Sequence, residues 1–281
     1  MNRDIPSASG PFDAADPGRR FGGIARLYGE RALRSFQHSR VCVVGIGGVG
    51  SWAAEALARS GIGAMVLIDM DHVSESNVNR QIHALEPDFG MAKVAAMHRR
   101  IADINPQCRV DCIEDFATTD NVSSLIETGD LDYVIDCADQ PMAKAAIIDH
   151  CIRYRCPIIT VGGTGGQRDP TRIRVDDLSR AVHDPLLART RRHLRRQYGF
   201  PRSGRMNVPC VYSLEQARYP QGDGTVAATR AAPLSAALHC GGLGSATHLT
   251  ASFGFAAVGR VLDRLANRAD ALDPSTAIRP G

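Results

Sequence analysis

Aromatic residues are scarce in this chain, at 5% of 281 positions with a single tryptophan. A core of any size must therefore be aliphatic, as in proteins built from layers of strands and helices. None of the eight cysteines (Cys42, Cys108, Cys112, Cys137, Cys151, Cys156, Cys210 and Cys240) forms a C-x-x-C pair. Several sit inside apolar stretches, so they read as reduced, mostly buried thiols of a cytoplasmic protein. No apolar run opens the chain: Met1 to Pro17 is rich in Ser, Asp, Gly and Pro, which reads as a disordered tail and not a signal peptide. Nor is there a clear membrane span. The stretch Leu243 to Leu262 is interrupted by Gly244, Ser245, Thr247, His248, Gly254, Gly259 and Arg260, whereas a spanning helix needs about twenty predominantly apolar residues. It reads as a buried helix of small residues. A net charge of +3 is too small to imply a nucleic-acid partner by itself.

What is present is a run of strand and helix signals in alternation. Val41 to Val44 is apolar and enters a glycine turn, Gly45-Ile46-Gly47-Gly48-Val49-Gly50, with a helix pattern from Ser51 to Arg59 behind it. Ala64 to Ile68, Arg109 to Ile113, Asp132 to Cys137 and Pro157 to Val161 read as further strands. Helices are expected at Gly29 to Phe36, Lys93 to Asn105, Asn121 to Glu127 and Met142 to Tyr154. In the second of these, Val94, Met97, Ile101 and Ile104 recur at helical spacing. This order predicts an α/β fold: a Rossmann-like, largely parallel sheet with helices on both faces, whose C-terminal portion continues the same sheet. The expected organisation is a tail over 1–19, one domain over 20–265 and a flexible tail over 266–281. Within the domain, 20–170 forms a nucleotide half and 171–265 a substrate half.

In such a sheet, ligands bind beyond the carboxyl ends of the strands. The residues expected there are the Gly45 to Gly50 loop, Asp69, Asp136 to Asp139 and a second glycine run, Gly162 to Gly166. Glycines let the backbone approach phosphate oxygens, and a helix's first-turn amides favour negative charge. Asp69, at the end of the second strand, is placed to accept ribose hydroxyls. The polar stretch after it contains Asp71, Ser76, Asn77, Asn79, Arg80 and Gln81, with Lys93 further on. A hydride-transfer enzyme has little use for these cations, whereas phosphoryl chemistry needs positive charge on the phosphate oxygens.

Gly45-x-Gly47-Gly48-x-Gly50, Asp69-x-Asp71, Ser76-Asn77-x-Asn79-Arg80-Gln81, Lys93 and Asp136-x-x-Asp139 together resemble the adenylyltransferases related to ubiquitin-activating enzymes. The resemblance implies that the glycine loop, Asp69, Asp71, Ser76, Asn77, Asn79 and Gln81 bind ATP. It implies a catalytic set of Arg80, Lys93, Asp139 and Arg26, the last reaching across a homodimer interface, and a Mg²⁺ ion on Asp139 with Asp136 in support. The distal C-x-x-C pairs of the sulfur-carrier activators in that family are missing, so no structural zinc is expected. Arg26-Leu27-Tyr28-Gly29, Asp184-Pro185-Leu186, Tyr219-Pro220-Gln221 and the glycine-rich segment from Cys240 to Thr247 resemble a narrower group, the tRNA threonylcarbamoyladenosine dehydratases. Those enzymes use ATP to cyclise the threonylcarbamoyl group on adenosine 37 of tRNA, and they are linked to cysteine desulfurase systems.

A charge cluster independently suggests an RNA surface. Arg189, Arg191, Arg192, Arg195 and Arg196 crowd one predicted helix, which also carries apolar Leu186, Leu187 and Leu194. Such a basic helix is suited to a phosphate backbone. Cys240 reads as a buried thiol at a helix start, with a reactive thiol as the sharper alternative. Other functions use the same motifs: adenylation of the C-terminus of a ubiquitin-like sulfur-carrier protein, and nicotinamide-dependent oxidoreduction or non-catalytic nucleotide sensing. The second leaves Asn77, Arg80, Lys93 and Asp139 without a purpose.

Overall fold

The computed structural model describes residues 17–229 and 243–271. Two helices, Pro17–Tyr28 (α1) and Glu30–His38 (α2), lead into the first strand, Arg40–Val44 (β1). There follow Gly50–Arg59 (α3), Ala64–Ile68 (β2), Lys93–Ile104 (α4), Arg109–Ile113 (β3), Val122–Leu125 (α5), Tyr133–Asp136 (β4), Pro141–Arg153 (α6) and Ile158–Val161 (β5). The distal part contributes Ile173–Asp177 (β6), Pro185–Gln197 (α7), Pro209–Ser213 (β7), the short strands Tyr219–Pro220 (β8) and Val226–Ala227 (β9), and Thr247–Ala271 (α8).

Seven strands form one sheet in the order β3-β2-β1-β4-β5-β7-β6, parallel except for the antiparallel β6 edge. The inner strands read as unbroken apolar runs because both of their faces are covered. Val41, Val43, Met65, Leu67, Ile135 and Ile159 face α2, α3, α4 and α8. Cys42, Val44, Val66, Ile68, Val134 and Ile158 face α5, α6 and α7. The expected fold is borne out, including the distal segment's addition to the same sheet. Strands β6 to β9 and helix α1 are additions to the sequence reading. In β6 only Ile173 and Val175 alternate with charged residues, too short a pattern to mark a strand, and its place is set by pairing with β7.

Two boundaries move. Helix α1 begins at Pro17, three residues inside the expected N-terminal tail, and α8 takes in 266–271 of the expected C-terminal tail. The small-residue helix is indeed buried, through Leu249, Phe253, Ala257, Val261 and Leu265. Among the described residues no helix is long and apolar enough to cross a membrane. Cys240 lies outside the described residues. The seven described cysteines are free, and Cys112 is exposed.

Small residues in α3 and α8 serve close packing over the first glycine loop. A Cβ on Gly50 would overlap the Gly45 carbonyl oxygen, and one on Gly254 would stand 2.8 Å from the Val49 oxygen. Gly47, by contrast, has nothing within 4 Å of a built Cβ. Overpacking of this kind costs roughly 1–3 kcal/mol or more. Gly50→Ala should therefore lower the unfolding free energy by about 2 kcal/mol while Gly47→Ala leaves it within about 0.5 kcal/mol, as read from urea titrations.

Candidate nucleotide site

The site is built at the carboxyl rim of β1, β2, β4 and β5. Gly45 leaves β1 at φ 86° and packs so closely on the turn after β4 that a Cβ there would lie 2.9 Å from the Cys137 oxygen. No side chain caps the start of α3. The amides of Gly47, Gly48 and Val49 have no hydrogen-bond partner among the described residues. Three unpartnered N–H groups at a helix start make a cradle for an anion.

Asp69 braces this loop. It is 8% exposed, and its Oδ2 accepts the Ile46 N–H at 2.6 Å while Oδ1 accepts the Asp71 N–H at 2.8 Å. Burial raises its pKa from 3.8, against opposing contributions from Lys93 and from the two backbone donors. An ionised carboxylate offers about four lone-pair directions, so two remain for a hydroxyl-bearing ligand. Lys93 opens α4, is buried, and donates from Nζ to Asp71 Oδ2 at 2.7 Å. Two of its three N–H donors remain, at a helix N-terminus that also favours anions.

Arg80 lies over the glycine loop: a Cβ on Gly48 would stand 3.4 Å from its Cγ. Its Nη1 donates to the Ser76 oxygen at 2.7 Å and to Asn79 Oδ1 at 3.0 Å. The Arg80 carbonyl accepts from Trp52 Nε1 at 3.0 Å. Other residues of this stretch turn away from the role expected of them. Asn77 is buried and its Oδ1 accepts the Ser74 N–H at 3.1 Å, closing a capping box over a tight turn. Asn79 Nδ2 donates to the Ser245 carbonyl at 2.8 Å. Gln81 is buried, and its Oε1 has no partner among the described residues.

Asp136 and Asp139 part company. Asp139 is exposed, and its carboxylate has no partner among the described residues. Asp136 is fully buried and paired with equally buried Lys144 at 3.1 Å. It also accepts from Thr160 Oγ1 at 2.7 Å and from the Ala138 N–H at 3.1 Å. Lys144 donates to the carbonyl oxygens of Asp136 and Ala138 as well. Asp136, expected to support a metal, thus has both oxygens engaged by protein donors and holds the turn from which Asp139 projects. Spacing cannot separate these roles, because Lys144 reaches back from α6.

Arg26 is not brought to the site of its own chain. It is exposed on α1, whose Arg20 caps the carbonyl of Ile104 at the far end of α4. The basic helix divides too. Arg191 donates to the carbonyls of Leu178 and Ala181, and Arg195 to that of Pro201. Arg189, Arg192 and Arg196 are exposed at positions that share one face of α7. The sequence singled out Asp184 only as part of the Asp184-Pro185-Leu186 string, with no role attached. Buried at the start of α7, it accepts the Leu187 N–H and the Gly163 N–H, both at 2.9 Å, and so pins α7 to the second glycine run. The Asp-Pro-Leu order around it is a recognisable helix-start signal. An open depression of about 930 Å³ lies elsewhere, at the amino ends of β4 and β5 beside Asp132, Cys156 and Arg268, away from this chemistry.

An uncapped glycine loop, a strand-end carboxylate and two cations at the rim of a mostly parallel sheet define a nucleotide-binding protein of the adenylating class. The chain belongs to the ThiF family, whose model matches residues 22–202. It is 51% identical over 255 residues to the tRNA threonylcarbamoyladenosine dehydratase of Escherichia coli, an alignment covering 89% of this chain and 95% of that one. Identity to the Haemophilus influenzae protein of the same name is 44% over 250 residues, covering 88% and 93%. The crystal structure of the E. coli dehydratase in complex with ATP superposes with a TM-score of 0.81 at 47% identity, over 91% of this chain and 97% of that one.

His83 is a site neighbour that composition and spacing did not flag. It is 1% exposed, and neither ring nitrogen has a partner among the described residues. Burial, with Lys93 and Arg100 nearby and Asp88 in opposition, lowers its pKa from 6.5 to about 4. The fold therefore favours the neutral ring. The associated stability is intact above about pH 6.5 and is lost as pH falls toward 4. His83→Leu should flatten that acid limb by up to about 1.4 kcal/mol per pH unit, measured by denaturant unfolding across the interval.

Proposed function

We propose that this protein is an ATP-dependent dehydratase of threonylcarbamoyladenosine at position 37 of tRNA. The observation that carries the reading is the convergence of unpartnered loop amides, Arg80 and Lys93 on one rim, in a chain 51% identical to the E. coli dehydratase. A carboxylate is a poor electrophile, because oxide is a poor leaving group. Attack of a carboxyl oxygen on the α-phosphorus of ATP breaks the bond to pyrophosphate and leaves an acyl-adenylate. A carbamoyl nitrogen of the same side chain then attacks the acyl carbon, loses its proton and expels AMP. The carboxyl oxygen departs with AMP, so the net change is loss of water and closure of a hydantoin-type ring.

The cradle at Gly47 to Val49 would receive phosphate oxygens, and Asp69 would hold the ribose. Arg80 and Lys93 would stabilise charge that grows on the phosphates during displacement. Holding the carboxyl group against the α-phosphorus supplies the proximity term, and no protein nucleophile is required. Mg²⁺ fits here. No group of three His, Cys, Asp or Glu able to form a metal cage occurs among the described residues, but a triphosphate-bound Mg²⁺ needs only one or two carboxylates plus phosphate and water. Asp139 is the carboxylate free to serve. Bound there, the ion neutralises phosphate charge.

The exposed face of Arg189, Arg192 and Arg196 would take the tRNA backbone. Arg26 is assigned to a partner's site in a homodimer, which accounts for an arginine placed on α1 away from its own cleft.

Purified protein with ATP, Mg²⁺ and tRNA bearing the threonylcarbamoyl group should release AMP, and unmodified tRNA should not support release. Asp139→Asn and Lys93→Ala should each reduce AMP formation by roughly 100-fold. Asp139 is exposed, so its variant tests chemistry without threatening the fold; full turnover in it would remove the Mg²⁺ assignment. Replacing Arg189, Arg192 and Arg196 together by Gln should weaken tRNA binding and shallow its log–log salt dependence by about 2–3 units, measured by filter binding. ATP affinity should stay unchanged in that variant.

A further inference from the structure

Arg80 is held from a direction the motif does not contain. The segment 243–250, at and just before the start of α8, makes three hydrogen bonds to the Asn79–Arg80 loop. Thr247 Oγ1 donates to the Asn79 carbonyl at 2.7 Å, Asn79 Nδ2 to the Ser245 carbonyl at 2.8 Å, and Thr250 Oγ1 to the Arg80 carbonyl at 3.2 Å. Asn79 Oδ1 in turn accepts from the Arg80 guanidinium at 3.0 Å. Its side chain is thus a relay, fixed by the distal segment on one side and orienting the phosphate-binding cation on the other. The same segment packs on the glycine loop, where a Cβ on Gly48 would stand 3.2 Å from Thr250 Cγ2. It also reaches the second glycine run: Gly166 N–H donates to the Gly244 carbonyl at 2.7 Å, and the hydroxyls of Thr164 and Ser245 are 3.4 Å apart.

We infer that Thr247 and Asn79 are positioning residues that set the Arg80 guanidinium for the triphosphate. This rests on the ATP-dependent reading above. Asn79 acts through Arg80 and need not touch phosphate itself. The distal half of the chain thereby contributes to nucleotide binding that the motif places wholly in the proximal half. The physical case is the geometry of Arg80. A guanidinium on a long, flexible stem loses rotamer freedom when fixed, and its planar fork is useful only when it is aimed. Two acceptors, the Ser76 carbonyl and Asn79 Oδ1, aim it before any ligand arrives, which reduces the ordering cost of binding.

The test uses Thr247→Val, which keeps the shape and removes the hydroxyl, beside Thr247→Ser, which keeps the hydroxyl. Thr247 is partly exposed, so both variants should retain the wild-type unfolding midpoint. A neutral hydrogen bond lost from a relay corresponds to a change of about 3- to 10-fold. Thr247→Val should weaken ATP binding by that factor in calorimetry and slow AMP formation by a similar factor, with the KM for modified tRNA unchanged. Thr247→Ser should restore both. In an Arg80→Gln background, Thr247→Val should add no further loss, because the group it positions is gone. Wild-type affinity and turnover in Thr247→Val would overturn the inference, as would a loss that persists undiminished in the Arg80→Gln background. Wild-type protein that binds no ATP would instead remove the functional reading on which this rests.

Discussion

Asp69 puts a carboxylate in a nearly closed place just past the carboxyl end of β2, and the site is arranged around satisfying it. One oxygen takes the Ile46 amide and the other the Asp71 amide. The loops after β1 and β2 are therefore joined through a single side chain. Burial makes the charge costly, which is why its pKa rises even with two donors and Lys93 nearby. Lys93 answers that cost in part and is itself anchored by Asp71. Asp69 takes the Ile46 amide and leaves the next three amides without partners among the described residues, which is how the loop comes to offer an anion cradle.

A second buried charge performs the same service at the end of β4, on the other side of β1. Asp136 and Lys144 are both inaccessible and compensate each other, with Thr160 and two carbonyls taking the remaining hydrogen bonds. Pairs of this kind are weak sources of net stability but strongly destabilising when broken. Here the pair fixes the turn after β4, against which Gly45 rests and from which Asp139 projects. Asp184 extends the pattern to β5 by tying the second glycine run to α7. Three buried carboxylates, Asp69 after β2, Asp136 ending β4 and Asp184 capping α7, thus hold the loops of this rim in place.

Much of this was legible from residue order. Alternating apolar runs and helical spacing located the five proximal strands, and chain order alone put Gly45 to Gly50, Asp69 and Asp139 in the segments that follow β1, β2 and β4. Less legible was which of the polar residues face a ligand. Asn77 resembles a phosphate-binding residue in sequence yet caps a turn, and Asp136 resembles a metal ligand yet sits against Lys144. Both lie close in sequence to residues that do face outward. Their partners are either local hydrogen bonds or a lysine one helix turn inside α6, and neither kind leaves a distinctive spacing. Among the arginines of α7, composition marked the cluster, but only packing separates Arg191, which satisfies carbonyls, from Arg192, which is exposed.

Local order in the chain was enough to determine the parallel sheet, the glycine turn and the set of cations, because these follow from hydrophobic period, glycine's lack of a Cβ and the helix-start field, all properties of short segments. Tertiary structure alone decided the pairing of Asp136 with Lys144, the antiparallel β6 edge and the grip of α8 on the Asn79–Arg80 loop. The hydrogen bonds of that grip join residues more than 160 positions apart. Their formation depends on where α8 comes to rest across the sheet, and that is set by the burial of Leu249, Phe253 and Ala257 against α3 and the strands, not by any pattern near Arg80.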